Sequence, residues 1–506
     1  MSDQSDVIAF LSSSDAFGGD AGPVQRIDTH GALVFLCGGT ALKLKRAVHY
    51  DYMDLSTVDL RHKMLDRELS LNAPHAPTIY RDVVPVTRGA DGLGLGGEGA
   101  VVDWVLRMNR FPSENELEAI DARGAFDNRL AAAVGQMIQR YHHSAPVRRG
   151  RGRVLIAEIL DELGRVFAEF PGAVGTDRVD DYLAAARVAL DGCGDLLDRR
   201  AEAGHVRRGH GDLHLRNLVV VEGKPVPFDA LEFSEELGTC DVLYDLAFLI
   251  MDLDQRRLEQ ASTRVLSTYL ACAQGTEDEG LAALPLFISV RAAIRAMVLL
   301  QTDKATDRPG ASGAGIGSHI DAALAALDPQ PPRLVAVGGF SGSGKSVLAG
   351  ALAPGLGAAP GAVLLSTDEA RKIASGVAQG AHLPEAGYSQ GARGAVYDGL
   401  FARAEAILKA GHSVILDGTF LDPAQRAAAM DLAAGLGVPG HGLWLDAPVA
   451  ELEARIAQRT GDWSDADVSV LARQMERGTG PLDWTRIDAA TTLEQTLAAA
   501  RLAVGV

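Results

Sequence analysis

Gly339-Phe340-Ser341-Gly342-Ser343-Gly344-Lys345-Ser346 follows the pattern G-x-x-x-x-G-K-[ST] at every specified position. The apolar run 334–337 before it predicts a buried strand, and 347–352 after it predicts a helix. Glycines let the backbone amides close around phosphate oxygens, and the new helix points its positive end at them. The strand, loop and helix together predict a phosphate-binding P-loop.

The P-loop predicts which residues contact a bound nucleotide. Lys345 is expected to reach the β- and γ-phosphates, and the Ser346 hydroxyl is expected to bind Mg²⁺. Asp417 ends the apolar strand 414–416 and is the expected Walker B carboxylate, which supports Mg²⁺ through Ser346 or water, with a simple helix cap as the weaker alternative. The predicted nucleotide-binding set of this half is Gly339, Ser341, Gly342, Ser343, Gly344, Lys345, Ser346 and Val347.

The chain divides just before this half. Three prolines at 329, 331 and 332 predict a stiff connector, so we expect one domain over 1–328 and a second over 329–506, each able to fold alone. The length of 506 residues is enough for both. We expect a small lobe over about 24–110 and a large lobe over about 111–328 in the first domain.

Charge and cysteine content limit the environment and the partners. The net charge of −18 argues against non-specific binding to nucleic acid or to an anionic membrane. Four scattered cysteines with no C-x-x-C pair favour a reducing, cytoplasmic setting. We expect no membrane span, because no apolar run looks long enough to cross a bilayer, and no secretory leader, because the N-terminus lacks a basic segment.

The first half starts with strands and continues with helices. Residues 31–36 and 40–45 predict two strands joined by the turn Gly38-Gly39, and a helix is expected over about 56–71. From about residue 115 onward the pattern is mostly helical. A small β-rich lobe before a larger helical lobe is the order of protein-kinase-like folds.

A second catalytic pattern lies in the helical region. His210, Asp212 and Asn217 have the spacing of the kinase catalytic loop H-x-D-x-x-x-x-N, and Phe228-Asp229 follows after a strand and a turn. Asp212 would orient the attacking hydroxyl, while Asn217 and Asp229 would hold Mg²⁺ against the ATP phosphates. His142 and His143 end a helix, where surface exposure and packing are the expected roles.

These residues carry a family resemblance. His210-Gly-Asp-Leu-His214, Asn217, Phe228-Asp229 and Asp241-Val-Leu-Tyr-Asp245 resemble the aminoglycoside phosphotransferase family over roughly 24–327. Residues 333–506 resemble P-loop kinases of the gluconate-kinase, zeta-toxin and polynucleotide-kinase type. The whole chain resembles a bacterial group described as bifunctional aminoglycoside phosphotransferase and AAA-type ATP-binding proteins. The resemblance implies an α+β protein-kinase-like fold followed by an α/β P-loop kinase fold with a parallel sheet.

The resemblance also implies roles in the small lobe. Lys43 corresponds to the lysine that contacts the α- and β-phosphates, and Lys45 is its rival on the same strand face. Glu68 is the implied ion-pair partner, with a solvated helix glutamate as the alternative. Met108 is implied to lie at the hinge near the adenine. Asp229 is followed by Ala230-Leu231 rather than Phe-Gly, a departure from protein kinases that the aminoglycoside kinases share.

The second half has further candidates. In related small-molecule kinases the carboxylate corresponding to Asp368 faces the acceptor hydroxyl, and here it follows the apolar strand 362–365. Arg455 and Arg459 lie on one helix face and predict a lid that closes on the transferring phosphate, against a solvated helix face as the alternative. Arg473 and Arg477 repeat the spacing and are the alternative lid pair.

The sequence therefore predicts a tandem phosphotransferase that uses ATP and Mg²⁺ in each half and takes a small-molecule acceptor. Two other functions stay open. One half could be a nucleotide-sensing module that regulates the other, or the second half could phosphorylate nucleic-acid ends.

Overall fold

The computed structural model describes residues 3–19, 22–50, 53–174, 176–306, 308, 310–328, 330–377, 390–458 and 465–506. The chain forms two compact units. The first comprises Met1–Asp127, Tyr141–Arg149 and Gly204–Asp245, and the second comprises Asn128–Arg140, Gly150–Ala203 and Leu246–Val506. The predicted domain boundary between residues 328 and 329 falls inside the second unit and stays a prediction about folding.

The small lobe is a six-stranded antiparallel sheet in the order β1-β2-β3-β8-β6-β7. Its strands are β1 Gln25–Asp28, β2 Ala32–Cys37, β3 Thr40–Lys45, β6 Tyr80–Gly89, β7 Gly92–Leu95 and β8 Ala100–Asn109, and a separate hairpin pairs β4 His49–Tyr50 with β5 Met53–Asp54. Two helices accompany the strands, α1 Ser5–Leu11 and α2 Val58–Asn72.

The alternation of β3 separates a core face from a charged face. Leu42 and Leu44 are buried in an apolar cluster with Phe35 and with Leu11 of α1. Because side chains of a strand alternate between its faces, Lys43 and Lys45 point to the opposite side. Core packing of β3 therefore holds both lysines on one face of the sheet.

Two short antiparallel pairs frame the catalytic loop in the first unit. β9 Val206–Arg208 pairs with β12 Thr239–Asp241, and β10 Leu218–Val221 pairs with β11 Lys224–Pro227. The remaining helices before residue 328 are α3 Leu117–Ala122, α4 Asn128–Ser144, α5 Gly152–Ala168, α6 Pro171–Val174, α7 Thr176–Ala203, α8 Val242–Gln255, α9 Glu259–Ala273, α10 Leu284–Ala305 and α11 Gly313–Ala326.

One stretch corrects the expectation that no apolar run could span a membrane. Glu279–Lys304, which includes most of α10, is long and apolar enough by length and composition, and its most apolar 18-residue window has a mean hydropathy of 1.8. However, 67% of its most apolar window is buried inside the fold. A helix that is apolar on all sides is typical of a domain core as well as of a membrane span.

The half after residue 328 contains a five-stranded parallel sheet in the order β14-β15-β13-β16-β17. Its strands are β13 Leu334–Gly339, β14 Val363–Ser366, β15 Val414–Asp417, β16 Gly440–Asp446 and β17 Thr485–Asp488. Its helices are α12 Lys345–Leu352, α13 Thr367–Ala374, α14 Gln390–Lys409, α15 Pro423–Leu436, α16 Val449–Gln458, α17 Val468–Arg477 and α18 Leu493–Val504. The predicted fold class, a kinase-like α+β part followed by an α/β part with a parallel sheet, is confirmed.

Buried polar contacts inside the second unit join segments on the two sides of residue 328. Asp278 Oδ2 accepts a hydrogen bond from Arg403 Nε at 2.8 Å, and the Leu281 carbonyl oxygen lies 3.0 Å from His412 Nε2. Asp278 and His412 are each at most 2% exposed. A proline-rich connector alone favours independent halves, whereas these contacts lead us to expect that the second half depends on helices before residue 328.

The burial of His412 predicts a pH dependence of stability. Burial lowers the pKa of this imidazole from 6.5 to about 4, against the opposing hydrogen bond to Leu281. Between those values the unfolded chain binds a proton that the folded protein does not, so stability falls as the pH falls from about 6.5 to about 4. The loss is on the order of 3 kcal/mol.

Urea unfolding at pH 7, 6, 5 and 4 measures this dependence. His412→Gln keeps a donor for Leu281 but does not titrate, so the variant should lose less free energy of unfolding across this range than the wild type. Equal losses in both proteins would contradict the assignment to His412.

Candidate active sites

A buried network of charges lies on the lysine face of β3. Lys43 Nζ is 2.6 Å from Glu68 Oε1 and 2.7 Å from Asp229 Oδ1. Glu68, on α2, is fully buried, so the alternative of a solvated glutamate does not describe it. Lys43 therefore joins the small-lobe sheet, α2 and the segment after β11 at one point.

Lys45 makes a different pair of contacts. Its Nζ lies 2.6 Å from Glu68 Oε2 and 2.5 Å from Glu232 Oε1, and its side chain is 3% exposed. The sequence analysis did not single out Glu232. Both lysines share Glu68, but Lys43 alone of the two contacts the predicted Mg²⁺ ligand Asp229.

The Lys43 and Asp229 charges stabilise each other. Burial alone would raise the pKa of the Asp229 carboxyl, but the Lys43 charge and its hydrogen bond outweigh that effect and hold the pKa at about 2. Burial likewise disfavours the Lys43 charge, yet Asp229 and Glu68 raise the pKa of Lys43 well above its usual value. Both groups are therefore ionised at neutral pH.

The catalytic-loop residues converge on Asp212. The Asn217 side-chain amide donates to the Asp212 carbonyl oxygen and to its Oδ2, both at 2.9 Å. Because the amide nitrogen makes these bonds, the amide oxygen of Asn217 is the atom left for a cation. Burial raises the pKa of Asp212, but the His214 hydrogen bond, with His214 Nε2 at 3.4 Å, outweighs it and lowers that pKa overall.

Hydrogen bonds of Asp245 and His210 hold the predicted catalytic loop in place. The Asp245 carboxylate accepts the backbone amides of His210 and Gly211 at 2.7 and 2.8 Å. His210 Nε2 lies 3.0 Å from the Phe228 carbonyl oxygen, which requires a proton on that nitrogen. His142 is 2% exposed and 3.0 Å from Asp245 Oδ2, so of the two expected roles it has packing, whereas His143 is exposed. The helix that carries both residues ends against this buried carboxylate.

Three arginines surround a carboxylate in the loop that follows the site. Glu235 accepts from Arg67 Nη2 at 2.8 Å, from Arg208 Nε at 3.1 Å and from Arg148 Nε at 3.2 Å. Arg67 is the residue before Glu68 on α2, and Arg208 is 3% exposed. The contact ties α2 to the loop after Asp229, and the sequence offered no signal for it because its partners lie far apart along the chain.

The hinge region carries a small cavity. Met108, near the end of β8, packs against the apolar cluster of Leu65, Ile79 and Leu106. Beside the end of β8 lies a cavity of about 200 Å³. Its lining residues are Thr78, Ile79, Asn109, Arg110, Phe111, Pro112, Asn115, Val220, Val221 and Glu222. The adenine contact of Met108 stays a prediction.

The P-loop of the second unit has the close backbone approaches that require glycine. Gly339 and Gly342 have φ values of 149° and 83°. A Cβ on Gly342 would lie 2.5 Å from the Leu452 carbonyl oxygen, and one on Gly339 would lie 2.7 Å from Ser343 Oγ. Residues with a side chain would therefore open the loop.

The P-loop side chains are arranged around the end of β15. Ser346 Oγ donates to Asp417 Oδ2 at 2.6 Å, which brings the two predicted Mg²⁺ ligands together. Lys345 Nζ donates to the Phe340 carbonyl oxygen at 2.9 Å. Within the described residues, the buried Ser343 hydroxyl has no hydrogen-bond partner. The loop thus offers a cation and polar hydrogens where phosphate oxygens would lie.

Gln474 on α17 contacts the P-loop, and it was not predicted from the sequence. Its Oε1 accepts from the Ser341 backbone amide, and its Nε2 donates to Ser341 Oγ, both at 2.9 Å. No motif predicts this residue, because the contact depends on tertiary placement of α17.

The predicted acceptor and lid residues have the following partners. Asp368, the second residue of α13, is 3.0 Å from Arg371 Nη1 and keeps 36% of its side chain exposed. Arg455 donates to Glu451 and to the Ala489 carbonyl oxygen, both at 2.7 Å. Arg459 lies outside the described residues, and Arg477 pairs with Asp422 at 3.3 Å. A lid role for any of these arginines stays a prediction.

Comparisons with known proteins agree with a two-part chain. Residues 334–481 match the family AAA_33, described as an AAA domain. Uncharacterized proteins of Mycobacterium bovis and Mycobacterium tuberculosis are each 29% identical over 489 residues, which covers 93% of this chain and 93% of each relative.

Solved structures resemble one half or the other. A choline/ethanolamine kinase family protein from Mesorhizobium loti is 16% identical and covers 64% of this chain and 95% of its own, with a TM-score of 0.39. A sugar kinase from Janibacter is 24% identical and covers 35% and 96%, with a TM-score of 0.27. The first half of this chain contains an antiparallel sheet, and the second contains a parallel sheet whose strands β13 to β16 lie within the residues that match the AAA domain.

The contacts of the two lysines predict separate effects. Lys43→Met should lower ATP turnover by the first half by roughly 10²-fold, because it removes the cation beside Asp229. Lys45→Met should act mainly on stability, because it leaves Glu232 partly buried without its cation. Steady-state kinetics and thermal melting of both variants check this, and a larger kinetic loss in Lys45→Met would reverse the assignment.

Proposed function

We propose that the protein is a tandem ATP-dependent phosphotransferase. Each half binds Mg²⁺-ATP and transfers the γ-phosphate to an alcohol group of a small molecule. The observation that carries the proposal is that the chain contains two separate sets of side chains, each with a lysine, two oxygen donors suited to Mg²⁺ and a further carboxylate for the acceptor. The first set is Lys43, Asn217, Asp229 and Asp212, and the second is Lys345, Ser346, Asp417 and Asp368. A cytoplasmic location, favoured by four free cysteines, is part of the proposal.

The oxygen donors of the first site fit a magnesium ion. Asn217 offers an amide oxygen, and Asp229 is ionised with 44% of its side chain exposed. One carboxylate and one amide suit Mg²⁺, which takes its other ligands from phosphate and water. When bound, the ion would neutralise charge on the phosphate oxygens, held by Asn217 and Asp229.

The chain's own groups in the first site then position the acceptor. Asp212 is ionised at neutral pH, so it can accept a hydrogen bond from the acceptor hydroxyl and take its proton as the phosphate bond forms. Asn217 fixes the Asp212 carboxylate through its amide nitrogen. Lys43 supplies positive charge for the phosphates while Glu68 keeps its ammonium in place.

The second site uses different elements for the same tasks. The backbone amides of 339–346 and the Lys345 ammonium would surround the β- and γ-phosphates. Ser346 and Asp417, already hydrogen-bonded to each other, are hard oxygen donors that fit Mg²⁺. Asp368 would orient the acceptor hydroxyl, and its exposed carboxylate is open to such a contact.

Loss of label transfer in single variants tests the proposal. Full-length protein is incubated with γ-labelled ATP and a panel of amino sugars, polyols, sugar acids and nucleosides. Asp212→Asn should lower the rate of formation of one set of labelled products by roughly 10²-fold or more, the usual contribution of a positioned acid–base group. Lys345→Ala should lower the rate of formation of a different set of products by a similar factor.

Matched surface variants control for the change of residue type. Asp28→Asn and Lys409→Ala replace exposed side chains of the same kind and should leave all products unchanged. If one variant removed every product, one half would be a regulatory module rather than an enzyme. If neither variant reduced any product, the proposal would be wrong.

A further inference from the structure

Helix α9, from before residue 328, covers the edge strand of the parallel sheet in the second unit. β14 is the outer strand of that sheet, so among the described residues its outward amides have no neighbouring strand to bind. The Ser267 hydroxyl oxygen accepts a hydrogen bond from the Leu364 backbone amide at 2.9 Å, and Ser267 is fully buried. α9 therefore takes the place that a further strand would occupy.

The same helix makes an ion pair next to the predicted acceptor carboxylate. Arg264, three residues before Ser267, donates to both carboxylate oxygens of Glu369, with Nη1 and Nη2 each at 3.2 Å. Glu369 is 2% exposed and directly follows Asp368 on α13. Such a two-pronged contact fixes the direction of the carboxylate as well as its position.

Helix α13 is short and packs against α9, α14 and β14. It spans eight residues, and Ser366 before it makes no side-chain cap. A helix this short depends on tertiary contacts. Besides Glu369, the buried Lys372 pairs with Asp465 at 2.7 Å, so ion pairs hold the helix through two of its side chains.

We propose that Arg264 is a positioning residue for Asp368, so that a helix of the kinase-like half sets the acceptor geometry of the P-loop half. The proposal rests on the function proposed above for the second half. Arg264 touches no reacting atom; it holds Glu369 and with it the first turn of α13. A displacement of about 1 Å at a reacting group costs about 10²-fold in rate.

The test uses full-length protein carrying Asp212→Asn, so that the second half alone transfers label from ATP to the same panel of acceptors. Adding Arg264→Met should lower kcat for transfer about tenfold or more. Affinity for a fluorescent ATP analogue should change less than about twofold, because the Arg264 guanidinium hydrogen-bonds to Glu369 of α13 and the P-loop is a separate segment. Arg264→Lys, which keeps the charge, should recover part of the loss.

A double variant separates positioning from stability. Arg264→Met leaves Glu369 buried without its cation, which destabilises the fold. Arg264→Met with Glu369→Gln removes that charge, so the melting temperature should recover while transfer stays low. Arg200→Met with Glu277→Gln removes a comparable buried ion pair that lies outside α9 and α13, and this control should not lower transfer.

Wild-type transfer in Arg264→Met, or joint recovery of transfer and melting temperature in the double variant, overturns the positioning role. A different result identifies failure of the underlying function. If Lys345→Ala in the same background leaves transfer intact, the P-loop half is not the source of the product, and the proposed function fails together with this inference.

Discussion

Two buried ammonium groups and the carboxylates around them hold the first site in one arrangement. Glu68 lies between Lys43 and Lys45, which in turn reach Asp229 and Glu232. Removing Lys45 leaves the Glu232 carboxylate, whose side chain is 12% exposed, without this cation, which destabilises the fold. We therefore expect β3, α2 and the segment 229–232 to move as one unit. The predicted catalytic residues next to them should then keep fixed positions.

The second site depends on close backbone packing rather than on buried charge. Only glycine fits at 342, because a Cβ there would meet the Leu452 carbonyl oxygen, and at 339, because a Cβ there would meet Ser343 Oγ. In the same half, α9 contacts both β14 and the helix that carries the predicted acceptor residue Asp368. Ser267 of α9 accepts a hydrogen bond from the edge of β14, and Arg264 of α9 pairs with Glu369. Physical dependence of one half on a helix from the other gives a reason for the two halves to share one chain.

The sequence predicted what is local and missed what is long-range. The P-loop could be predicted because its roles lie within eight consecutive residues, and β3 because of its alternation. Glu232, Gln474 and Arg264 could not, because their partners are 100 or more residues away, as with Arg264 and Glu369, and no spacing reports such contacts. Surface exposure and packing were expected for His142 and His143 together, and only the structure shows that His142 is the one that packs, against the buried carboxylate of Asp245.

The number of nucleotides bound per chain tests the central claim most directly. Calorimetric titration of the full-length protein with a non-hydrolysable ATP analogue and Mg²⁺ should give two sites per chain. The lysine, carboxylate and P-loop groups form two separate sets, and each is expected to bind one nucleotide. A stoichiometry of one would contradict the account, because it would mean that one of the two sets does not bind nucleotide.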